Sequence, residues 1–106
     1  MIEIVYHPEH YRLTVKGHAG YDVPGKDIVC AGVSALTCTL AEDIIALEGS
    51  LREPPHILLD EGNAEIECKP RSNQKSIVRL VMNSVCAGFA MMADKYSEHV
   101  TYETRV

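Results

Sequence analysis

One stretch of the chain has the order of residue types that covalent catalysis needs. It begins with Gly17-His18-Ala19-Gly20 and continues, after a short loop, through Gly25-Lys26-Asp27 to Cys30. This order puts a histidine at the exit of a predicted strand and a cysteine in the first turn of a predicted helix. An imidazole can take the proton of a thiol that attacks a carbonyl group. The stretch therefore predicts a nucleophilic site made of Cys30 and His18.

The start of the predicted helix also favours a thiolate. Asp27 is the predicted N-cap, and its carboxylate can accept a hydrogen bond from the Cys30 backbone N–H. A helix N-terminus contributes about 0.3 to 1 kcal/mol to a nearby negative charge. Ionising an ordinary cysteine near neutral pH requires about 2 kcal/mol. A second group is required, and His18 is the nearest in sequence, across a loop whose closure costs little entropy.

Ser34 lies four residues after Cys30 and therefore on the same face of the predicted helix. Its hydroxyl can hydrogen-bond either the site or its own helix backbone, and the sequence favours neither. Asp27 can equally be a simple cap, and a cysteine in an apolar helix is more often a core residue than a nucleophile. The sequence alone leaves these alternatives open.

The other cysteines and histidines show no comparable surroundings. Neither a helix cap nor a nearby histidine accompanies Cys38, Cys68 or Cys86, so we expect ordinary thiols there. The spacing of the cysteines contains no CxxC pair, so we expect no metal and no cofactor. Four further histidines lie at turns or element ends and are expected to be solvated: His7, His10, His56 and His99.

Alternating apolar residues predict two hairpins, and apolar residues three and four apart predict two helices. The predicted elements are strands at 2–6 and 11–15, a helix at 28–48, strands at 56–59 and 64–69, a helix capped by Ser72 or Asn73, and a strand at 100–105. The order ββαββαβ predicts an α+β fold (α/β mixed), with two helices on one face of a mostly antiparallel or mixed sheet. A second, small and uncharged stripe on the first helix predicts a second neighbour, either another helix or another subunit: Ala31, Ser34, Ala35, Cys38 and Ile45.

Length and charge limit the classes of function. At 106 residues we expect one domain over 1–106. Ten basic and fifteen acidic residues give a net charge of −5, which disfavours direct nucleic-acid binding and suits a basic protein partner. The uncharged run 28–41 is shorter than the roughly 20 residues of a membrane span. Met1 to Pro8 lack the pattern of a secretion signal, so we expect a cytoplasmic protein with reduced thiols.

The segment Gly17 to Gly20, together with Gly25 to Leu36, resembles the Prp family of ribosomal-processing cysteine proteases. The resemblance implies a small bacterial endopeptidase, a homodimer, that removes a short N-terminal extension from a large-subunit ribosomal protein. It implies that Cys30 is the nucleophile and His18 the general base, with Asp27 and Ser34 in supporting or orienting roles. The glycines of the connecting loop, Gly17, Gly20 and Gly25, would belong to a substrate loop that acts as a lid.

The family mechanism implies backbone N–H groups at the helix start, including that of Cys30, as donors to the oxyanion. It also implies an apolar groove beside the loop. Two alternatives stay open. One is a non-catalytic ribosome-assembly or interaction module whose acidic surface binds a basic ribosomal protein, with Cys30 in the core. The other is a thiol hydrolase or transferase for a small molecule, which requires a closed pocket.

Overall fold

A computed structural model describes all residues, 1–106, as a five-stranded sheet with two helices. The strands are β1 (Ile2–His7), β2 (Arg12–Gly17), β3 (His56–Asp60), β4 (Asn63–Glu67) and β5 (Val100–Thr104), and the helices are α1 (Ile28–Ala46) and α2 (Lys75–Lys95). Short 3-10 turns at Pro8–His10 and Glu48–Ser50 follow β1 and α1. The predicted order ββαββαβ is confirmed.

The sheet is mixed. Its strand order is β3-β4-β2-β1-β5, and every pair is antiparallel except β1 with β5. Alternate residues of β1 are buried, and they join Leu13 of β2 and Ile66 of β4 in one core with both helices. On β2 and β4, polar side chains also pair with one another, with Arg12 3.0 Å from Glu65. The predicted α+β architecture, with two helices packed on a mixed sheet, is confirmed.

Helix α1 buries most of the apolar residues that recur three and four positions apart along it. Val29, Val33, Leu40 and Ile44 are at most 2% exposed, and the helix ends at Ala46, slightly before the predicted end. Leu36 is half-buried and packs against α2 at Gly88, where a Cβ would lie 2.9 Å from the leucine side chain. The second, small stripe does not face α2. Its members, Ala31, Ser34, Ala35, Cys38 and Ile45, are exposed.

Helix α2 differs more from its prediction. It begins at Lys75 after Gln74, which makes no side-chain cap, and the predicted caps Ser72 and Asn73 lie in the preceding turn. Its buried residues are Val78, Met82, Val85, Cys86, Phe89 and Met92, whereas the apolar residues Ile77 and Leu80 are 45% and 68% exposed. Apolar residues occupy more than one face of this helix, so periodicity alone did not identify the face that the sheet covers.

Both helices are long and apolar enough to cross a membrane when only length and composition are considered. Core helices of soluble proteins pass the same test. Here the buried residues of α1 and α2 belong to the same core as those of the sheet. Packing against the sheet therefore accounts for the apolar residues that the two helices bury.

Candidate active site

Asp27 caps α1, as the sequence predicts. One carboxylate oxygen, Oδ1, accepts the Cys30 backbone N–H at 2.9 Å. The other, Oδ2, accepts the backbone N–H groups of Tyr21 at 3.0 Å and Asp22 at 3.3 Å. The hydrogen bond from the Cys30 backbone N–H is the main reason why the pKa of Asp27 lies below its usual value. The same side chain therefore starts the helix and fixes the loop that precedes it.

That loop, residues 18–27 between β2 and α1, is called the β2–α1 loop below. The glycines predicted for it, Gly17 at its entrance and Gly20 and Gly25 within it, all have positive φ. At Gly17 a Cβ would also clash with the carbonyl oxygen of Met1. Only glycine therefore suits the position where the chain leaves β2 and turns towards α1.

Cys30 lies in the first turn of α1, partly exposed. Its Sγ accepts the backbone N–H of Ala19 at 3.4 Å. Ala19 is itself 3% exposed, so the β2–α1 loop covers one side of the thiol while another side remains open to solvent. The cysteine is therefore neither an enclosed core residue nor a fully free thiol.

His18 is exposed and lies beside the turn between β3 and β4. A Cβ on Gly62 of that turn would be only 2.7 Å from His18 Nε2, and the Gly17 N–H donates to Gly62 O at 2.9 Å. No hydrogen bond joins His18 to Cys30, whose Sγ has Ala19 as its donor. The two predicted residues thus line one cavity without a direct hydrogen bond.

This cavity, called the cleft below, has a volume of about 840 Å³. It lies between the first turns of α1, the β2–α1 loop and the β3–β4 turn (60–63). Part of its wall is apolar, with Ile2, Val15, Val33 and Leu59 among its residues. Its charged residues are all acidic, Asp22, Asp27, Asp60 and Glu61, and no lysine or arginine contributes to it. The predicted groove beside the loop is therefore present, but it is partly acidic.

Ser34 and Cys38 continue the line of Cys30 along α1, and both are exposed in the cleft. The predicted placement of Ser34 on the face of Cys30 is confirmed. The wall that they form is open to solvent along the helix. Such a trough suits an extended chain better than a small molecule, which usually requires a more enclosed pocket.

The remaining thiols separate into two groups. Cys38 is exposed, while Cys68 and Cys86 are at most 3% exposed. Burial raises the pKa of both buried thiols to about 11. Buried thiols of this kind stay protonated near neutral pH and are chemically inert.

Three features of the site differ from the sequence predictions. His99 was expected to be solvated, but it is half-buried and its Nδ1 donates to Ala19 O at 2.9 Å. The Cys30 backbone N–H, expected to be an oxyanion donor, is already bound by Asp27. Gly62 was visible as a turn residue, but nothing local indicated that its missing side chain makes room for His18. The contacts of His99 and Gly62 join distant segments, whereas the hydrogen bond of the Cys30 N–H to Asp27 is local.

No group of three or more histidine, cysteine or acidic side chains is arranged to hold a metal ion. The side chains of the cleft supply a thiol, an imidazole and carboxylates. A thiol and an imidazole in one open trough can perform nucleophilic attack with general-base assistance.

Comparison with known proteins connects this arrangement to one family. The family model described as cysteine protease Prp matches residues 1–101. Two relatives from strains of Staphylococcus aureus, both named ribosomal processing cysteine protease Prp, are 26% identical over 84 residues, covering 79% of this chain and 76% of theirs. The crystal structure of the S. aureus protease with a covalently linked product peptide is 25% identical, with a TM-score of 0.77, covering 98% of this chain and 97% of that one. Its structure with a substrate peptide, 23% identical, shows the same fold at a TM-score of 0.69, covering 98% and 97%.

Proposed function

The chain belongs to the Prp family of cysteine proteases, and from that premise we propose that Cys30 is its nucleophile and His18 its general base. We further propose that it removes a short N-terminal extension from a large-subunit ribosomal protein. The observation that carries the proposal is the thiol at a capped helix start, open to the cleft that His18 also lines.

In the first step His18 accepts the proton of the Cys30 thiol, and the sulfur attacks the scissile carbonyl carbon. His18 must turn from Gly62 towards the thiol for this transfer, because no hydrogen bond joins them in the free protein. Its exposure gives the ring room to rotate. Bound substrate would bring His18 and Cys30 into hydrogen-bond contact, because catalytic hydrogen bonds often tighten only when substrate is bound.

The attack forms a C–S bond and moves an electron pair onto the carbonyl oxygen. Collapse of this intermediate breaks the C–N bond, and the leaving amine takes its proton from His18. Water then attacks the acyl-enzyme, with His18 again accepting a proton, and releases the new carboxylate and the thiol. The Cys30 N–H donates to Asp27 and could bind the oxyanion only if that hydrogen bond broke. Other N–H groups of the cleft are therefore better candidates for the oxyanion donors.

The proposed substrate agrees with the shape and charge of the cleft. An open trough of about 840 Å³ can take several residues of an extended chain, with apolar side chains against its apolar wall. The four carboxylates at the cleft would attract a basic segment. Relatives named ribosomal processing protease support a ribosomal protein as the source of that segment.

Two finer features complete the proposal. Ala35 and Ile45 of the exposed stripe of α1 lie outside the cleft, and they support a homodimer because a second subunit would cover these apolar side chains. A ribosomal protein substrate supports a cytoplasmic location. Light scattering over a range of concentrations tests the dimer, and a mass that stays at 11.7 kDa at high concentration would contradict it.

The proteolytic mechanism is tested with synthetic peptides read by mass spectrometry. One peptide carries the N-terminal extension of a large-subunit ribosomal protein, and its control has the mature N-terminus. The wild-type chain is expected to cut only the extended peptide, at one bond. Cys30→Ala is expected to bind the peptide but leave it intact, with an unchanged circular dichroism spectrum. Cleavage by Cys30→Ala at the wild-type rate would refute Cys30 as the nucleophile.

A further inference from the structure

The β2–α1 loop is anchored to the C-terminal part of the chain by His99, which directly precedes β5. Its Nδ1 lies 2.9 Å from Ala19 O, and because a carbonyl oxygen can only accept, the ring nitrogen is the donor. The backbone of His99 is held by its own bonds, from its N–H to Tyr96 O and from the Ile2 N–H to its carbonyl. The His99 imidazole is thus a hydrogen-bond donor whose backbone is held in place.

Ala19 connects this donor to the thiol. Its N–H donates to Cys30 Sγ at 3.4 Å, while its carbonyl accepts from His99. Gly17 and Gly20, on either side of the pair His18-Ala19, have φ of +97° and +65°, so steric restriction at these positions is weak. The direction of the Ala19 N–H therefore depends on the hydrogen bonds that Ala19 makes.

A second contact joins His99 to the same loop. The Tyr21 ring meets the His99 ring edge-on with centroids 5.3 Å apart, and it meets the Tyr96 ring in the same way at 5.7 Å. Aromatic pairs of this geometry are attractive beyond the area that they bury. The first part of the loop, 18–22, is therefore held by the segment 96–99 at two points and by Asp27 at a third.

We propose that His99 is a positioning residue for the Cys30 nucleophile. By holding Ala19 O, it keeps the Ala19 N–H directed at Cys30 Sγ, where this N–H stabilises the negative charge that develops on sulfur as the proton is transferred. It also fixes the backbone that carries His18. His99 acts through Ala19 and does not touch the substrate. The inference rests on the proposed function of Cys30.

The test compares His99→Ala with His99→Asn, because the asparagine side chain can place an amide N–H where His99 has Nδ1. Loss of the hydrogen bond in His99→Ala is expected to lower kcat about tenfold, with KM changed by less than about twofold. Alkylation of Cys30 by iodoacetamide at pH 7, followed by peptide mass mapping that separates Cys30 from Cys38, is expected to slow about threefold. His99→Asn is expected to restore most of both rates.

The control is His10→Ala, which removes an exposed histidine in the turn at the opposite end of the β1–β2 hairpin and is expected to change neither rate. An unchanged kcat, or unchanged or faster alkylation of Cys30, in a folded His99→Ala would overturn the proposal. Equal losses in folded His99→Asn and His99→Ala would do the same. Should His99→Ala fail to fold, His99→Leu, which fills similar space without a donor, replaces it. Alkylation does not require cleavage, so a wild-type chain that cuts no peptide would refute the proposed function and leave this test intact.

Discussion

The two connections from a strand into a helix differ in what they leave exposed. The β2–α1 loop is largely exposed, ends in the charged cap Asp27 and delivers Cys30 to the cleft. The β4–α2 connection, residues 68–74, starts with buried Cys68 and pairs with the segment that follows α1 and its 3-10 turn, through the Leu51–Pro70 bridge. Both halves share the order ββα, yet one connection buries its cysteine in the core and the other leads to a cysteine that is open to the cleft.

The thiols of the two connections show the chemical consequence. Cys68 has no hydrogen-bond donor comparable to the Ala19 N–H, and burial raises its pKa to about 11. Cys30 lies at a helix start and faces solvent on one side. Loops that run over the surface can place reactive groups on a rigid scaffold, whereas packed connections stabilise the fold. Burial and position relative to backbone N–H groups, rather than residue type, therefore separate the two cysteines.

Among substitutions in the β2–α1 loop, His18→Ala is expected to lower kcat the most. His18→Ala removes the proposed base, and general-base assistance is worth about 10² to 10⁴ in rate. We expect kcat for the extended peptide to fall by that factor with the thermal unfolding temperature unchanged, because the ring is exposed. Steady-state kinetics would measure it. A full rate would mean that another group serves as the base.

Gly62→Ala tests whether the β3–β4 turn positions His18. The new Cβ would lie 2.7 Å from His18 Nε2 and would displace the ring. Because Gly62 O also accepts the N–H of Gly17, next to His18, the strained turn would shift the backbone from which His18 turns towards Cys30. A displacement of about 1 Å can cost a rate factor of about 10², so kcat is expected to fall by roughly 10 to 100. The left-handed backbone at this position also costs about 1 to 2 kcal/mol of stability.

Gly49→Ala is the matched control, since a Cβ there has open space and φ is not positive. Its kinetics are expected to equal those of the wild type. An unchanged kcat in a folded Gly62→Ala protein would show that His18 reaches Cys30 without support from the turn.

Asp27→Asn weakens the link between loop and helix. Asparagine can still accept the Cys30 N–H, but its NH₂ group faces the N–H groups of Tyr21 and Asp22. We expect kcat to fall roughly fivefold, as after the loss of one hydrogen bond.

The difference in stability between the wild type and Asp27→Asn is expected to depend on pH, because the pKa of Asp27 is lowered in the folded wild type. A lowered pKa in the folded chain stabilises the fold above the ordinary value of 3.8, and this contribution is lost as the pH falls through the lower, folded value. The unfolding temperatures of the variant and the wild type should therefore differ near neutral pH and converge in acid. A constant difference at every pH would contradict a role of the Asp27 charge.

Cys68→Ala is expected to have the smallest effect on rate. It removes one buried atom from the packed connection, so stability should fall by about 1 kcal/mol while kcat stays at the wild-type value. Urea unfolding and peptide cleavage measure the two. A large loss of kcat in the folded variant would show that the two connections are not independent.

The wild-type thiol adds a dependence on pH that the variant lacks. Because burial raises the pKa of Cys68 from 9.0 to about 11, the folded chain retains a proton that the unfolded chain releases in that interval. Wild-type stability should therefore fall as the pH rises from 9 towards 11, and Cys68→Ala should lose less.

The sequence predicted the elements and their order well because hydrophobic periodicity and local capping decide them. The cap of α1 illustrates this, since Asp27 and the Cys30 N–H are three residues apart. The buried face of α2 was predicted less well, because apolar residues such as Leu80 are spread over several faces and only the position of the sheet selects one.

The residues that surround the proposed nucleophile were less accessible to sequence reasoning. His18, Asp27, Cys30 and Ser34 come from one short segment, and their order alone identified them as candidates. His99 meets Ala19 across 80 residues of sequence, and no local pattern marks that contact. Interactions of this kind depend on the strand order, with β5 beside β1, which the element sequence does not determine.

The pairing of β5 with β1 makes the first and last strands neighbours, and the Ile2 N–H donates to His99 O where they meet. A ribosome making this chain releases β1 before β5, so one of the two partners of β1 emerges only after β2, β3, β4 and both helices. Until then Ala19 has no anchor from His99. The arrangement delays this anchor until His99 has emerged, and a chain that stalls before His99 would carry both Cys30 and His18 without the hydrogen bond that holds Ala19 between them.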